Sequence, residues 1–215
     1  MTSTSIIVFG AGGRVGRAIT AEAVVRGLSV TAAVREPERH ADLAGSQVSL
    51  VRCDVTDTAA VAEAAAGHSA AVSSLYRADV PSQDFYRTTT GSLLAGLGRA
   101  GVGRLISVGM AATLETSPGV RILDGPDFPA DHRAFSLGHA TALEVLREAP
   151  TTLDWLVATP PMDLGHDGVR TGRYRVGGTE LPEGGGHISH ADFALAVLDE
   201  IERPKHHRTQ ISVWA

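Results

Sequence analysis

Ile6-Ile7-Val8-Phe9-Gly10-Ala11-Gly12-Gly13-Arg14-Val15-Gly16 is the stretch on which the fold turns. Four consecutive apolar residues ending in glycine read as a strand buried on both faces. Residues 10–13 form a turn, and a helix is expected over about 14–26, stopped by Gly27. Gly10, Gly13 and Gly16 stand at G-x-x-G-x-x-G spacing. The tighter G-x-G-x-x-G pattern needs glycine at 15, which is Val15, so the turn belongs to the longer-spaced variety. A buried strand running through bare backbone into a helix N-terminus suits a dinucleotide diphosphate. No side chain blocks close approach at Gly10 or Gly13, and the amides of the helix start attract negative charge. Gly10, Gly13, Arg14, Val15 and Gly16 are therefore candidate cofactor contacts.

Outward from this unit the same alternation continues. Strands are expected at 28–34, 48–52, 70–73, 104–108 and 153–158. The helical stretches between them lie at about 37–44, in the Ala-rich stretch that follows Val55-Thr56-Asp57-Thr58 and runs to about 66, at 82–100 and at 130–148, with those four residues giving polar caps to the second. This β-α alternation predicts an α/β fold of the Rossmann type: a doubly wound parallel sheet with helices on both faces. From Pro160 the composition shifts to glycine and proline, including the run Gly184-Gly185-Gly186. Residues 160–190 are expected to form a small loop and hairpin region that shapes the substrate site, followed by a helix at 192–201 and a strand at 210–214.

The 215 residues suffice for one well-buried domain and are too few for two ordinary ones, so a single domain over 1–215 is expected. Hydrophobic residues at 43% and charged residues at 20% exclude disordered and fibrous classes. Nineteen Lys+Arg against 24 Asp+Glu leave a net charge of −5, which offers nothing to a phosphate backbone or an anionic membrane. Neither nucleic acid nor membrane is an expected partner. A small-molecule substrate is, with the chain acting as a monomer or homodimer. Cys53 is the single cysteine, and the start of the chain lacks the basic and apolar regions of a signal peptide. A cytoplasmic protein is expected.

The end of the second strand distinguishes the two nicotinamide nucleotides, because a carboxylate there suits the ribose 2′-hydroxyl of NAD and a basic residue suits the 2′-phosphate of NADP. The residue is Arg35, and Arg14 is a candidate second contact. Glu36, beside Arg35, could neutralise it. NADP(H) is expected over NAD(H). Asp54 and Val55, at the end of the third strand, stand where adenine would lie. The loops after strands four, five and six, with Ser73, Ser74 and Leu75, Ser107, and Thr159, Pro160 and Met162, are expected to meet the nicotinamide half.

These segments resemble the atypical short-chain dehydrogenase/reductase superfamily, in particular its small NAD(P)H-binding members of the NmrA-like, biliverdin-reductase-B-like and NADH-flavin-reductase groups. The resemblance covers nearly the whole chain. It rests on the glycine turn, Val34-Arg35-Glu36-Pro37, Cys53-Asp54-Val55-Thr56-Asp57, Leu153-Asp154-Trp155, Thr171-Gly172-Arg173-Tyr174 and Ile188-Ser189-His190-Ala191-Asp192-Phe193-Ala194. It implies NADP(H) lying across the strand ends of a Rossmann fold, and it leaves the substrate open.

One departure matters. Catalytic members carry Tyr-x-x-x-Lys on the helix after strand five, where lysine lowers the tyrosine pKa for proton exchange with a carbonyl. Here the matching register is Phe135-Ser136-Leu137-Gly138-His139, and the one lysine is Lys205. Phenylalanine has no proton to give. His132, Phe135 and His139 fall at i, i+3 and i+7, on one helical face, so His132 and His139 are candidates for donating a proton. His139 also suits a role in holding ribose hydroxyls, and Ser107 would polarise a substrate carbonyl. Without a strong acid, acceptors that delocalise charge or take a proton from water are favoured: a flavin, a quinone or a specialised-metabolite intermediate. The alternative is an NADP-binding protein without redox turnover, either a sensor of NmrA-like type or an isomerase or cyclase on the same scaffold.

Other chemistries find no support. His187-x-x-His190 with Asp192 is the best metal constellation, but its spacing across a glycine-rich stretch and a helix start does not converge ligands, and no metal is expected. Gly-x-Ser-x-Gly and the Gly-Lys-Ser/Thr of a phosphate-binding loop are absent.

Overall fold

The computed structural model describes residues 5–165 and 169–215. Strand β1 (Ser5–Phe9) enters the turn that opens α1 (Arg14–Val25), and β2 (Ser29–Val34) follows. A 3₁₀ segment at Pro37–Leu43 leads to β3 (Val48–Arg52), α2 (Thr58–Ala65) and β4 (Ala70–Ser73). Then come α3 (Ser82–Ala100), β5 (Arg104–Val108), a small hairpin of β6 (Glu115–Ser117) and β7 (Val120–Arg121), and α4 (Ala130–Glu148). The last third contains β8 (Asp154–Thr159), β9 (Asp163–Leu164), β10 (Arg175–Gly177), β11 (His187–Ile188), α5 (His190–Glu202) and β12 (Thr209–Trp214).

Eight strands form one sheet in the order β10-β12-β8-β5-β4-β1-β2-β3, all parallel except β10, which runs antiparallel to β12. The chain winds outward in both directions from β1, so sequence order reverses between β1 and β4, and a crevice opens there at the carboxyl ends of the strands. The alternation along β1 sets the layers. Ile6 and Val8 join the core beneath α1 and α5, whereas Ile7 and Phe9 join the core beneath α2, α3 and α4. All four are fully buried. The expected doubly wound α/β fold is therefore the observed one. Of the residues expected to cap α2, Asp57 does so by accepting from the amides of Ala59 (2.8 Å) and Ala60 (3.4 Å).

The 160–190 region departs from expectation. It contains no hairpin of its own among the described residues. β9 and β11 pair in parallel, and β10 extends the main sheet through β12. Beyond β10, Glu115 exchanges backbone bonds with Thr179 and Leu181 (both 2.9 Å), which ties the region to the β6 hairpin. Hydrogen-bonding edges offered by elements distant in sequence captured these short strands, a choice that local composition does not encode. Gly168 lies outside the described residues, as do residues 1–4.

One buried carboxylate organises this region. Asp192, 1% exposed, accepts from the Thr171 amide (3.0 Å), the Thr171 hydroxyl (2.7 Å) and the Gly172 amide (2.9 Å), while Ser189 caps α5 by accepting from the Asp192 amide (3.0 Å). Burial alone would raise the Asp192 pKa, but the bonds from Thr171 and Gly172 outweigh it and hold the carboxyl below its ordinary value. The Thr171-Gly172 and Ser189 to Asp192 motifs thus act on each other as a staple between loop and helix. Asp192 has its oxygens committed to that staple, and no group of three potential ligands suited to a metal ion occurs among the described residues.

Candidate functional site

The glycine turn is shaped by backbone contact. Gly10 has φ +79°, and a Cβ there would collide with the Ser74 carbonyl oxygen, so the backbone just after β4 passes too closely for any side chain. At Gly16 a Cβ would strike the Gly10 carbonyl oxygen, which is why α1 can start directly against β1. Gly13 differs. Its φ is −75°, and the nearest atom to an added Cβ is the Gly10 oxygen at 3.5 Å, an ordinary contact. The fold therefore does not require glycine at 13. That residue occupies the α1 N-cap with no side-chain cap and no acidic residue in the first turn, so the first-turn amides keep their partial positive charge.

A cavity of about 330 Å³ runs from this turn along the ends of β2 and β3. Of the sequence candidates, Gly10, Gly13, Arg35, Asp54, Val55, Ser74 and Leu75 line it. Arg35 is exposed and makes no ion pair among the described residues, because Glu36 pairs with Arg39 instead (2.5 Å). The neutralisation of Arg35 by Glu36 is thus not observed. Asp54 Oδ1 accepts from the amide (2.9 Å) and hydroxyl (2.7 Å) of Thr56, which together hold its pKa down. The Cys53 thiol, buried beside Asp54 and Asp57, is pushed up to about 11 and is a packing group.

Arg14 is a correction. It lines neither cavity, and its charge falls on His190, whose pKa is lowered by burial and secondarily by Arg14. The side chain is therefore close enough to the start of α5 for its charge to act there. Val15 packs against the core, and Gly16 serves the close strand-helix contact.

The sequence reading missed Arg39, His40, Tyr76 and Arg77, all of which line the larger cavity. Arg77 and Tyr76 directly follow Leu75 and were within reach of the loop argument. His40 was not, because its place depends on packing. Arg17 donates to the Gly12 carbonyl (3.0 Å), to Asp42 (2.5 Å) and to His40 Nδ1 (3.3 Å), and so ties the 3₁₀ segment to the glycine turn.

A second, small cavity of about 20 Å³ lies on the other side of Leu75, lined by Ser73, Ser107, Thr113, Tyr86 and His139, among others. Ser107 and His139 are thus brought together as expected. His139 stacks edge-on against Phe135 (4.9 Å between ring centroids) and contacts the Tyr86 hydroxyl. Burial lowers the His139 pKa to about 4, so it is a neutral imidazole at physiological pH. His132 corrects the shared-face expectation. It sits in the first turn of α4, 63% exposed, with Asp131 as its nearest carboxylate (3.9 Å), and it lines neither cavity.

The loop after β8 also departs from expectation. Thr159 is fully buried and accepts from Gln210 Nε2 (3.0 Å), Pro160 is buried, and Met162 is 69% exposed. None of the three lines either cavity. The hydroxyl of Thr159 is consumed by the Gln210 network at the β12 boundary, which no local pattern announces.

A doubly wound sheet with an uncapped glycine turn at its switch point defines a nucleotide-binding α/β protein. The profile of the NAD(P)H-binding family matches residues 10–204, and the chain belongs to that family. The Bacillus subtilis (strain 168) protein YwnB is 30% identical over 212 residues, 96% of each chain. Among solved structures, a candidate epimerase from Bacteroides thetaiotaomicron is 32% identical with TM-score 0.88, over 99% of this chain and 97% of that one. A candidate NADH-flavin reductase from Streptococcus pneumoniae is 29% identical with TM-score 0.79, over 99% of each. The family resemblance read from the motifs is borne out. Among the described residues, no helix is long and apolar enough to cross a membrane.

Proposed function

We propose that this protein is an NADPH-dependent oxidoreductase that passes hydride to a small conjugated acceptor of the flavin or quinone type. The observation that carries the reading is the cavity of about 330 Å³, lined by bare glycine backbone and by Arg35, which makes no direct ion pair among the described residues although its charge reaches Asp54 and Asp79. The residues fit the nucleotide. Backbone amides of the α1 start face the diphosphate, Arg35 the 2′-phosphate, and Asp54 and Val55 the adenine. A charge-assisted bond from Arg35 contributes roughly 1.5–3 kcal/mol in favour of NADPH over NADH. When bound, NADPH supplies the hydride.

The chain's own contribution is positioning. Phe135 replaces the usual tyrosine, the neutral His139 holds no spare acidic proton, and burial raises the Tyr86 pKa, so no side chain of the smaller cavity supplies a strong acid. Ser107 offers a hydroxyl to polarise an acceptor, and water supplies the proton that completes reduction. The acceptors that suit such a site spread the incoming charge over a conjugated system. We further infer a single cytoplasmic domain, monomeric or homodimeric, that acts on small molecules; the net charge of −5 argues against nucleic-acid and membrane partners.

Mixing the purified protein with NADPH and a panel of flavins and quinones tests the reading. Acceptor-dependent loss of nicotinamide absorbance supports it, and binding without turnover overturns it. The second reading, a cofactor-retaining isomerase, is favoured by the 32%-identical candidate epimerase. It predicts that bound nucleotide shows no net oxidation while a substrate is interconverted.

A further inference from the structure

Tyr86 on α3 is 6% exposed and belongs to neither the glycine turn nor the helix that carries His139. Its hydroxyl stands 2.8 Å from the Leu75 carbonyl oxygen and 2.8 Å from His139 Nε2. One hydroxyl has one proton. The Leu75 carbonyl can only accept, so the tyrosine proton goes there, because two oxygens at that distance without a hydrogen between them would repel. His139 must then donate Nε2–H to the tyrosine oxygen. In the neutral imidazole this leaves Nδ1 as the unprotonated nitrogen. Nδ1 has no hydrogen-bond partner among the described residues, and it is not among the buried polar atoms left unsatisfied, so it keeps some access to solvent, on a residue that lines the smaller cavity.

We propose that Tyr86 is a positioning residue: by bridging His139 Nε2–H and the Leu75 carbonyl it fixes the His139 tautomer, so that Nδ1 stands as an acceptor for a ribose hydroxyl on the nicotinamide half of the cofactor. The inference rests on the NADPH reading above and deepens it. Burial of His139 supports it, because an imidazole kept neutral retains that acceptor. Leu75 lines both cavities, so the same bond that sets the tautomer also anchors the segment dividing them.

Tyr86→Phe removes the hydroxyl and keeps the ring, which packs edge-on against Phe85 (5.4 Å between centroids). Long-range proton-nitrogen NMR spectra of histidine-labelled protein, without cofactor, distinguish protonated from bare ring nitrogens. His139 is expected to show Nε2–H with bare Nδ1 in the wild type, and a mixture of tautomers in Tyr86→Phe. Wild-type protein with Nδ1 protonated overturns the proposal. Calorimetry with NADPH and with 2′,5′-ADP, which lacks the nicotinamide half, gives the second readout. Tyr86→Phe is expected to weaken NADPH about three- to tenfold and leave 2′,5′-ADP unchanged. It should add nothing further in a His139→Ala background. Equal weakening of both ligands, or additive effects of the two substitutions, overturns the assignment as a merely structural role. Failure of the wild type to bind either ligand overturns the nucleotide site and this role together, and is recognised because the tautomer spectrum is independent of it.

Discussion

Leu75 separates two cavities of very different size, about 330 Å³ on the glycine-turn side and about 20 Å³ beside Ser107 and His139. The first is built from backbone and charge: a turn that excludes side chains, strand ends, and a rim with Arg35, Arg39 and Arg77. The second is built from side chains that α3, α4, β4, β5 and β8 bring together, and two of its polar groups, Tyr86 and His139, are bonded to each other. An anionic, extended ligand needs amides and guanidinium groups in the open. A reacting centre needs a few groups held in one orientation and shielded from water. The contrast teaches that this protein recognises its cofactor with local structure and would orient the reaction with tertiary structure.

Gly13→Val should break the larger cavity most completely. The fold tolerates a Cβ there, so thermal stability should stay near wild type while calorimetry registers no NADPH binding. Retained affinity would remove the diphosphate from this turn. Asp192→Ala probes the staple at the start of α5, outside the larger cavity, and should act oppositely, costing roughly 3 kcal/mol by leaving the Thr171 and Gly172 amides without their acceptor. That corresponds to a fall in melting temperature of roughly 6–12 °C, measured by calorimetric scanning. Because the folded Asp192 pKa is depressed, its contribution is complete above the ordinary carboxylate range and fades as pH falls through the folded value. The wild-type advantage over Asp192→Ala should accordingly shrink in acid, and an advantage that did not vary with pH would contradict the charge argument.

Arg35→Asp sharpens the contrast at the far end of the larger cavity. The NADPH-to-NADH affinity ratio should fall about tenfold to a hundredfold, and titration with both nucleotides reads it directly. An unchanged ratio would move the 2′-phosphate to Arg39 or Arg77. The smallest effect belongs to the smaller cavity. With the His139 pKa lowered to about 4, its neutral form is complete above about pH 5, so turnover between pH 6 and 8 should show no inflection from this residue. A wild-type inflection near 6.5 that disappears in His139→Ala would restore the histidine as proton donor. Without it, His139→Ala should weaken nucleotide binding more than it slows turnover.

How far the sequence reached follows the same division. The glycine turn, Arg35, Asp54, Val55 and Leu75 were legible because strand alternation places them on consecutive strand ends of one face, whatever the rest of the chain does. His132 was misplaced because helical spacing predicts a shared face but not where that face ends, and His132 lies in the first turn of α4, outside the packed part. Thr159 lies outside both cavities because its hydroxyl is held by Gln210, brought in from elsewhere in the chain. Arg14 lies where its charge acts on the start of α5, a placement that depends on a helix more than 170 residues later.

From its residues alone, the chain determines a doubly wound sheet and a tight glycine turn at its switch point, because burial periodicity and the steric demand for glycine act over a few neighbouring positions. Only the tertiary structure decided that Asp192 is a staple and that Tyr86 meets His139 across 53 positions. Each of those is a hydrogen bond between groups distant in sequence whose separation is set by packing, and packing is a property of the whole core.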